Sequence, residues 1–272
     1  MQADKASYKK SSFGPAFLFL DSSRRQALAV YYAFCRLMDD IADEPNVPDP
    51  QGQLNFWRAE TERVFQGKPQ TQLGRDMAQA AQTFGILPDR FLLLIEGMEA
   101  DLQGRRYATL AELEWYLYRV AGIVGLATLD ILGVKGSKAD NLARSLGFAV
   151  QTTNIVRDVH EDAAAGRVYL PADLLGKYGL TPQDVLQNTR PEKLAQALRE
   201  MAEISKAYYT QAQAVLSTVA WRKALPCRIM GCVYRANLAK IEAAGFVFDK
   251  KIKLTRFEKI KIIVYALFNR LS

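Results

Sequence analysis

Gln151, Asn154, Asp158 and Asp162 stand at i, i+3, i+7 and i+11. On a helix these positions form one stripe, three turns long, made only of oxygen-bearing side chains. Thr152, Ile155, Val156 and Val159, interleaved with them, leave no clean apolar face opposite. The stripe is therefore expected to face an enclosed wet cavity. The plainer alternative is the solvated side of an amphipathic helix.

Helical patterning dominates the remaining sequence, and no run of alternating strand residues is found. Ser22 and Ser23 precede a helix from Arg24 to Glu44 that ends in the loop Pro45–Pro50. Further helices are read at Gln53–Gln66, Gly74–Phe84 and from Leu87-Pro88 through FLLLIEGMEADLQG. A long apolar helix, Ala111–Leu132, is interrupted by the small residues AGIVG, and the loop GVKGSKAD leads into a helix over Asn141–Asp162. After the loop Ala165–Pro171 come Pro191–Val219, about Pro226–Ala244, and a basic C-terminal segment from about residue 248. Every loop is short enough for a compact bundle. The expectation is an all-α fold, one domain spanning residues 1–272.

A second acidic face lies in YYAFCRLMDDIADE, where Asp39 and Asp43 are four apart and share a helix face. Leu37, Met38 and Ile41 place these acids close to a core. Like charges so placed destabilise a bare helix, and burial adds a desolvation cost that cations offset. The competing reading is a charged helix end before Pro45. It fits poorly, because negative charge at a helix C-terminus opposes the macrodipole.

Two acidic faces without a histidine or thiolate cluster point to a hard cation. Mg²⁺ keeps water ligands and shares phosphate oxygens. Two or three such ions between opposed helices would neutralise a diphosphate and make it a good leaving group from an allylic carbon. Arg36, one turn before Asp39, and Arg157, beside Asp158, can clamp phosphate oxygens bidentately.

The formal charge of +7 fits phosphorylated substrates, an anionic membrane surface or merely a solvated basic surface. The basic residues are scattered and no recognition motif occurs, so nucleic acid is not an expected partner. Cys35, Cys227 and Cys232 form no CxxC pair, which suggests neither a disulfide framework nor zinc. With no secretory leader and nothing near the roughly 18 consecutive apolar residues of a spanning helix, a cytoplasmic location is expected. His160, the sole histidine, is read as a solvated bystander. No Gly-rich strand–helix turn is seen, so NADPH is not an expected cofactor, although such a site need not use a dinucleotide fold.

At these residues the sequence resembles the squalene/phytoene synthase family of trans-isoprenyl diphosphate synthases. YAFCRLMDDIADE is similar to that family's first aspartate-rich motif and QTTNIVRDVHEDAAAGRVYLP to its second, and the likeness runs from about Ser11 to the basic tail. It implies an isoprenoid synthase helical bundle with a central cavity and head-to-head condensation of two prenyl diphosphates. It also implies Mg²⁺ ligation by Asp39, Asp43, Asn154 and Asp158, with Asp162 nearby. Arg36, Gln151 and Arg157 would bind diphosphate, as would Ser12 and Phe13 in SSFGPAF from the N-terminal side. Tyr32 and Tyr118 match aromatic positions near the reacting carbons, where an electron-rich face stabilises a cation. Tyr169 sits in the loop that would cover the second motif. The AGIVG run matches a small-residue stretch beside the prenyl tunnel, and close helix packing is an equal reading of it. Thr152 departs from the family pattern, which commonly has a larger apolar residue there.

The stretch PCRIMGCVYRANLAKIEAAGFVFDKKIKLTRFEK is similar to bacterial members that join two farnesyl diphosphates into presqualene diphosphate. Members making phytoene from two geranylgeranyl diphosphates share nearly all these residues, and dehydrosqualene or squalene formation are further alternatives. From a different class come an inactive scaffold homologue, which has no need of aligned ligands, and a terpene cyclase or head-to-tail prenyltransferase. The basic tail has two readings: peripheral contact with an anionic membrane, or an ordinary terminal helix with snorkelling lysines.

Overall fold

The computed structural model describes residues 20–246 and 251–268. Helix α1 (Ser22–Asp43) starts where the Asp21 carboxylate accepts the Arg24 N–H at 2.9 Å, and it buries Ala27, Leu28, Val30, Tyr31, Phe34, Leu37, Met38 and Ile41. Then follow α2 (Pro50–Phe65), α3 (Gln72–Phe84), α4 (Asp89–Leu102) and α5 (Leu110–Leu117). A π-helical turn (Tyr118–Gly122) joins α5 to α6 (Ile123–Leu132) without a break. The long α7 (Ser137–Ala164), short α8 (Ala172–Lys177) and α9 (Pro182–Gln187), long α10 (Pro191–Leu216) and α11 (Trp221–Ala243), and α12 (Arg256–Phe268) complete the order. No strand occurs among the described residues.

Helix α7 is the centre of the assembly. It packs most extensively on α10 and also meets the π-turn, α6 and α11, while α1 packs on α4, α3 and α6. The α7–α10 contact is pinned by a buried polar knot. Thr153 Oγ1 lies 3.1 Å from Ser205 Oγ and 3.0 Å from Tyr209 Oη, and Ser205 donates to the Ala149 carbonyl at 2.9 Å. Gly147 lets α7 approach the π-turn backbone: a Cβ there would lie 2.9 Å from the Ala121 carbonyl.

The structure differs from the sequence expectation in three places. The segment 172–187 contains α8 and α9, each too short for a 3.6-residue period to show. Helix α11 starts before Pro226, which lies inside it. Leu110–Leu132 is long and apolar enough by composition to cross a bilayer, but 56% of its most apolar stretch is buried, in the middle of the bundle.

Candidate active site

A cavity of about 790 Å³ opens between α1 and α4 on one side and α7 and α11 on the other, with the π-turn and α6 between them. Its two principal walls are graded in the same sense. Along α1 the lining runs Leu28, Tyr31, Tyr32, Cys35, Arg36, Asp39, Asp43. Along α7 it runs Leu142, Ala143, Leu146, Gly147, Val150, Gln151, Asn154, Asp158, Asp162. Both stripes begin apolar and end acidic. At 1.5 Å per residue, the α1 stripe from Leu28 to Asp43 spans about 22 Å. The cavity is thus amphiphilic, with one greasy end and one ionic end.

Of the residues singled out in the sequence, Asp39, Asp43, Asn154, Asp158, Asp162, Arg36, Gln151, Arg157, Tyr32 and Tyr169 all line this cavity. Ser12 and Phe13 lie outside the described residues. Tyr118 is not brought to the cavity: its ring lies beneath the Arg144 guanidinium, 4.7 Å from ring centre to carbon. The residue that faces inward is Tyr116, two positions earlier. On a helix two positions are about 200° apart, so the two tyrosines point to nearly opposite sides. Thr152 is likewise turned away and fully buried, its hydroxyl without a hydrogen-bond partner. Ala121, Val124 and Gly125 do line the cavity, while Gly147 and Gly125 also sit at close helix contacts. The run thus both lines the cavity and takes part in close helix packing.

The sequence reading missed four residues here besides Tyr116. Asp101 of α4, a buried acid, accepts the Tyr116 hydroxyl at 2.8 Å and the Tyr169 hydroxyl at 2.7 Å. Arg167, in the loop after α7, donates to the Asp43 carboxylate and to the Ala42 carbonyl, tying that loop to the end of α1. Lys251, assigned to the membrane or solvent in the sequence reading, instead pairs with Asp158 at 2.8 Å and Glu161 at 2.6 Å. Tyr234 of α11 lines the wall beside Arg157. None of these carries a distinguishing signal in the sequence: Asp101 is one of three acids in FLLLIEGMEADLQG, with Glu96 and Glu99.

The electrostatics are strained toward negative charge. Burial first, then the neighbouring Asp43 charge, pushes the Asp39 carboxyl up to about 6, against the pull of Arg36. Burial and the Asp158 charge push Asp162 up to about 7. Burial raises Asp101 to about 6 although two tyrosine hydroxyls stabilise its ionised form. Cations already sit among the acids: Arg36 meets Asp39 at 3.1 Å and Asp40 at 2.6 Å, and Arg157 holds Asp158 through bonds of 2.7 and 2.6 Å.

These donors fit a magnesium cluster. All are hard oxygens, the acids are under-compensated, and Asn154 Oδ1 is buried with no hydrogen-bond partner while its amide donates to Gln151 at 3.2 Å. Among the described residues no three acids converge on one point. That suits an ion that keeps waters and shares ligand oxygens more than one caged by protein alone.

The family model for squalene/phytoene synthase matches residues 7–258. The chain belongs to the squalene/phytoene synthase family. It is 34% identical over 261 residues to a presqualene diphosphate synthase of Rhodopseudomonas palustris, covering 94% of this chain and 93% of that protein. It is 32% identical over 263 residues to phytoene synthase 1 of Solanum lycopersicum, covering 94% of this chain but only 64% of the plant protein. A crystallised dehydrosqualene synthase superposes with a TM-score of 0.86 at 26% identity, over 97% of this chain and 93% of that one. A squalene synthase from Alicyclobacillus acidocaldarius gives 0.82 at 26% identity, over 89% and 91%. As a squalene/phytoene synthase relative with this fold, the chain is an all-helical enzyme of prenyltransferase type.

Proposed function

We propose that this enzyme condenses two farnesyl diphosphates head to head into presqualene diphosphate, releasing diphosphate. The observation that carries the reading is the matched grading of α1 and α7. Both helices present apolar residues at one end of a shared cavity and carboxylates at the other, which complements a ligand with a long apolar tail and an anionic head.

Asp39, Asp43, Asn154 and Asp158, with Asp162 close by, would hold Mg²⁺. Bound there, Mg²⁺ supplies the positive charge that turns diphosphate into a leaving group. Arg36, Arg157 and Lys251 sit among these acids, where their donors can take phosphate oxygens as the substrate head arrives. Leu28, Leu94, Leu129, Leu142 and Leu146 line the remainder and exclude water from the tail. That exclusion protects an allylic cation from hydrolysis. Tyr116 and Tyr169 donate hydrogen bonds to Asp101, so their oxygens and ring faces are electron-rich toward the cavity. The double bond of the second substrate attacks the cation, and loss of a proton to the released diphosphate closes a cyclopropane.

Purified protein incubated with farnesyl or geranylgeranyl diphosphate and Mg²⁺, with and without NADPH, tests this by product mass. Presqualene diphosphate from farnesyl diphosphate, unchanged by NADPH, is expected. Phytoene from geranylgeranyl diphosphate alone would overturn the substrate assignment while preserving the reaction class.

A further inference from the structure

Eight large apolar side chains are strongly exposed among the described residues, and four of them lie on α12: Phe257 (65%), Ile260 (59%), Val264 (49%) and Tyr265 (44%). Positions 257, 260 and 264 follow i, i+3, i+7 spacing and share one face. The opposite side is committed to the fold, with Ala266 buried and Ile262 packed against the core, and Ile263 and Leu267 pack against the core at the flank. The helix is thus docked on one side and bare on the other.

Charge on the bare side is of one sign. Arg256 and Lys261 are exposed there, and the Lys261 ammonium lies 4.6 Å from the centre of the Phe257 ring. The one acid of α12, Glu258, is turned to α11, where both its oxygens take the Lys240 ammonium at 3.0 Å. A second copy placed symmetrically on this face would bring these cations against their own equivalents with no acid to pair them. An anionic lipid surface meets both features at once: apolar side chains enter the acyl boundary while Lys and Arg stay at the headgroups.

We propose that the exposed face of α12 is a docking surface for an anionic bilayer. Its position suits such a role. The helix begins five residues after Lys251, which reaches the acidic end of the cavity, and it packs on α11, whose Pro226, Cys227, Met230 and Tyr234 line the cavity wall. Vesicle binding by this face is independent of which prenyl diphosphate the cavity takes.

Co-sedimentation of the full chain tests it, using vesicles of phosphatidylglycerol and phosphatidylcholine in equal parts against phosphatidylcholine alone. Wild type is expected to pellet with the anionic vesicles and about tenfold less with neutral ones. A triple variant, Phe257→Ser with Ile260→Ser and Val264→Ser, should lose about tenfold in partitioning to anionic vesicles. Because these side chains are exposed, its helical circular dichroism and its turnover of detergent-dispersed substrate should match wild type. A charge variant, Arg256→Gln with Lys261→Gln, should lose the preference for anionic lipid. Equal pelleting of wild type and the triple variant overturns the proposal, as does equal binding to both vesicle types. So does a dimer in sedimentation velocity that the serine substitutions dissolve while neither protein binds vesicles.

Discussion

The hydroxyl of Tyr169 donates to the carboxylate of Asp101 across 2.7 Å, joining a loop beyond α7 to the end of α4 over 68 positions of sequence. Tyr116 adds a second donor to the same carboxylate at 2.8 Å, and its ring stacks on Tyr169 with centres 5.1 Å apart. This acid accepts two phenols and pairs directly with no cation among the described residues, so it polarises both rings at the cavity wall.

Asp101→Asn keeps an acceptor but removes the charge. Loss of charge-assisted bonds is expected to lower stability by about 1–2 kcal/mol. Turnover should fall further, by about 10²-fold, if the polarised phenols stabilise developing positive charge. Urea denaturation and steady-state kinetics read the two effects separately. A stability loss with unchanged kcat would make Asp101 purely structural.

The tyrosines offer a paired comparison. Burial raises the Tyr116 phenol well above its ordinary range, so it stays protonated at any working pH. Tyr116→Phe should cut kcat by about 10²-fold. Tyr118→Phe, under Arg144 and away from the cavity, keeps the ring and should leave kcat within about twofold. Equal effects from both would contradict the geometry.

The location of the acids was legible because an α-helix has a fixed period, and Asp39/Asp43 and Gln151–Asp162 declare their faces by spacing alone. Tyr118 was misplaced because a π-turn begins at that residue and a family match by position says nothing of helix phase. Lys251 was unreadable for another reason. It lies in an irregular segment, and its partner Asp158 is far away in sequence, so nothing local distinguishes it from the surface lysines of the same tail. The overall bundle needed only hydrophobic periodicity, and Arg36 and Arg157 sit beside their acids in sequence, whereas Arg167 and Lys251 reach the site through long-range contacts that no period encodes.

Asp39 and Asp162 bind protons more tightly in the fold than an ordinary aspartate, whose carboxyl titrates at 3.8, and reach about 6 and about 7. Their contribution to stability is therefore complete below that value and is lost as pH rises through the folded values. Mg²⁺ binds the ionised forms, so it competes with these protons. The rise in Tm on adding Mg²⁺ should be small near pH 5 and grow to a plateau above about pH 8. Thermal denaturation across this range checks it, and a metal-induced shift independent of pH would remove these carboxylates from the site.

Lys251 offers a test in which two affinities move in opposite directions. Its ammonium sits 2.8 Å from Asp158 and 2.6 Å from Glu161, so in the ligand-free enzyme it screens a carboxylate that Mg²⁺ would use. Removing one charge at such a distance alters a partly buried site by about 1–4 kcal/mol before solvent screening. Side-chain exposure of 21% for Lys251 and 16% for Asp158 puts the effect toward the lower end. Lys251→Met should thus tighten Mg²⁺ binding to the substrate-free enzyme several-fold. The same change should weaken inorganic diphosphate by about tenfold, since the anion loses a donor. Isothermal titration with each ligand gives both signs. If both affinities fall together, Lys251 orders the segment before α12 without exchanging partners between metal site and anion.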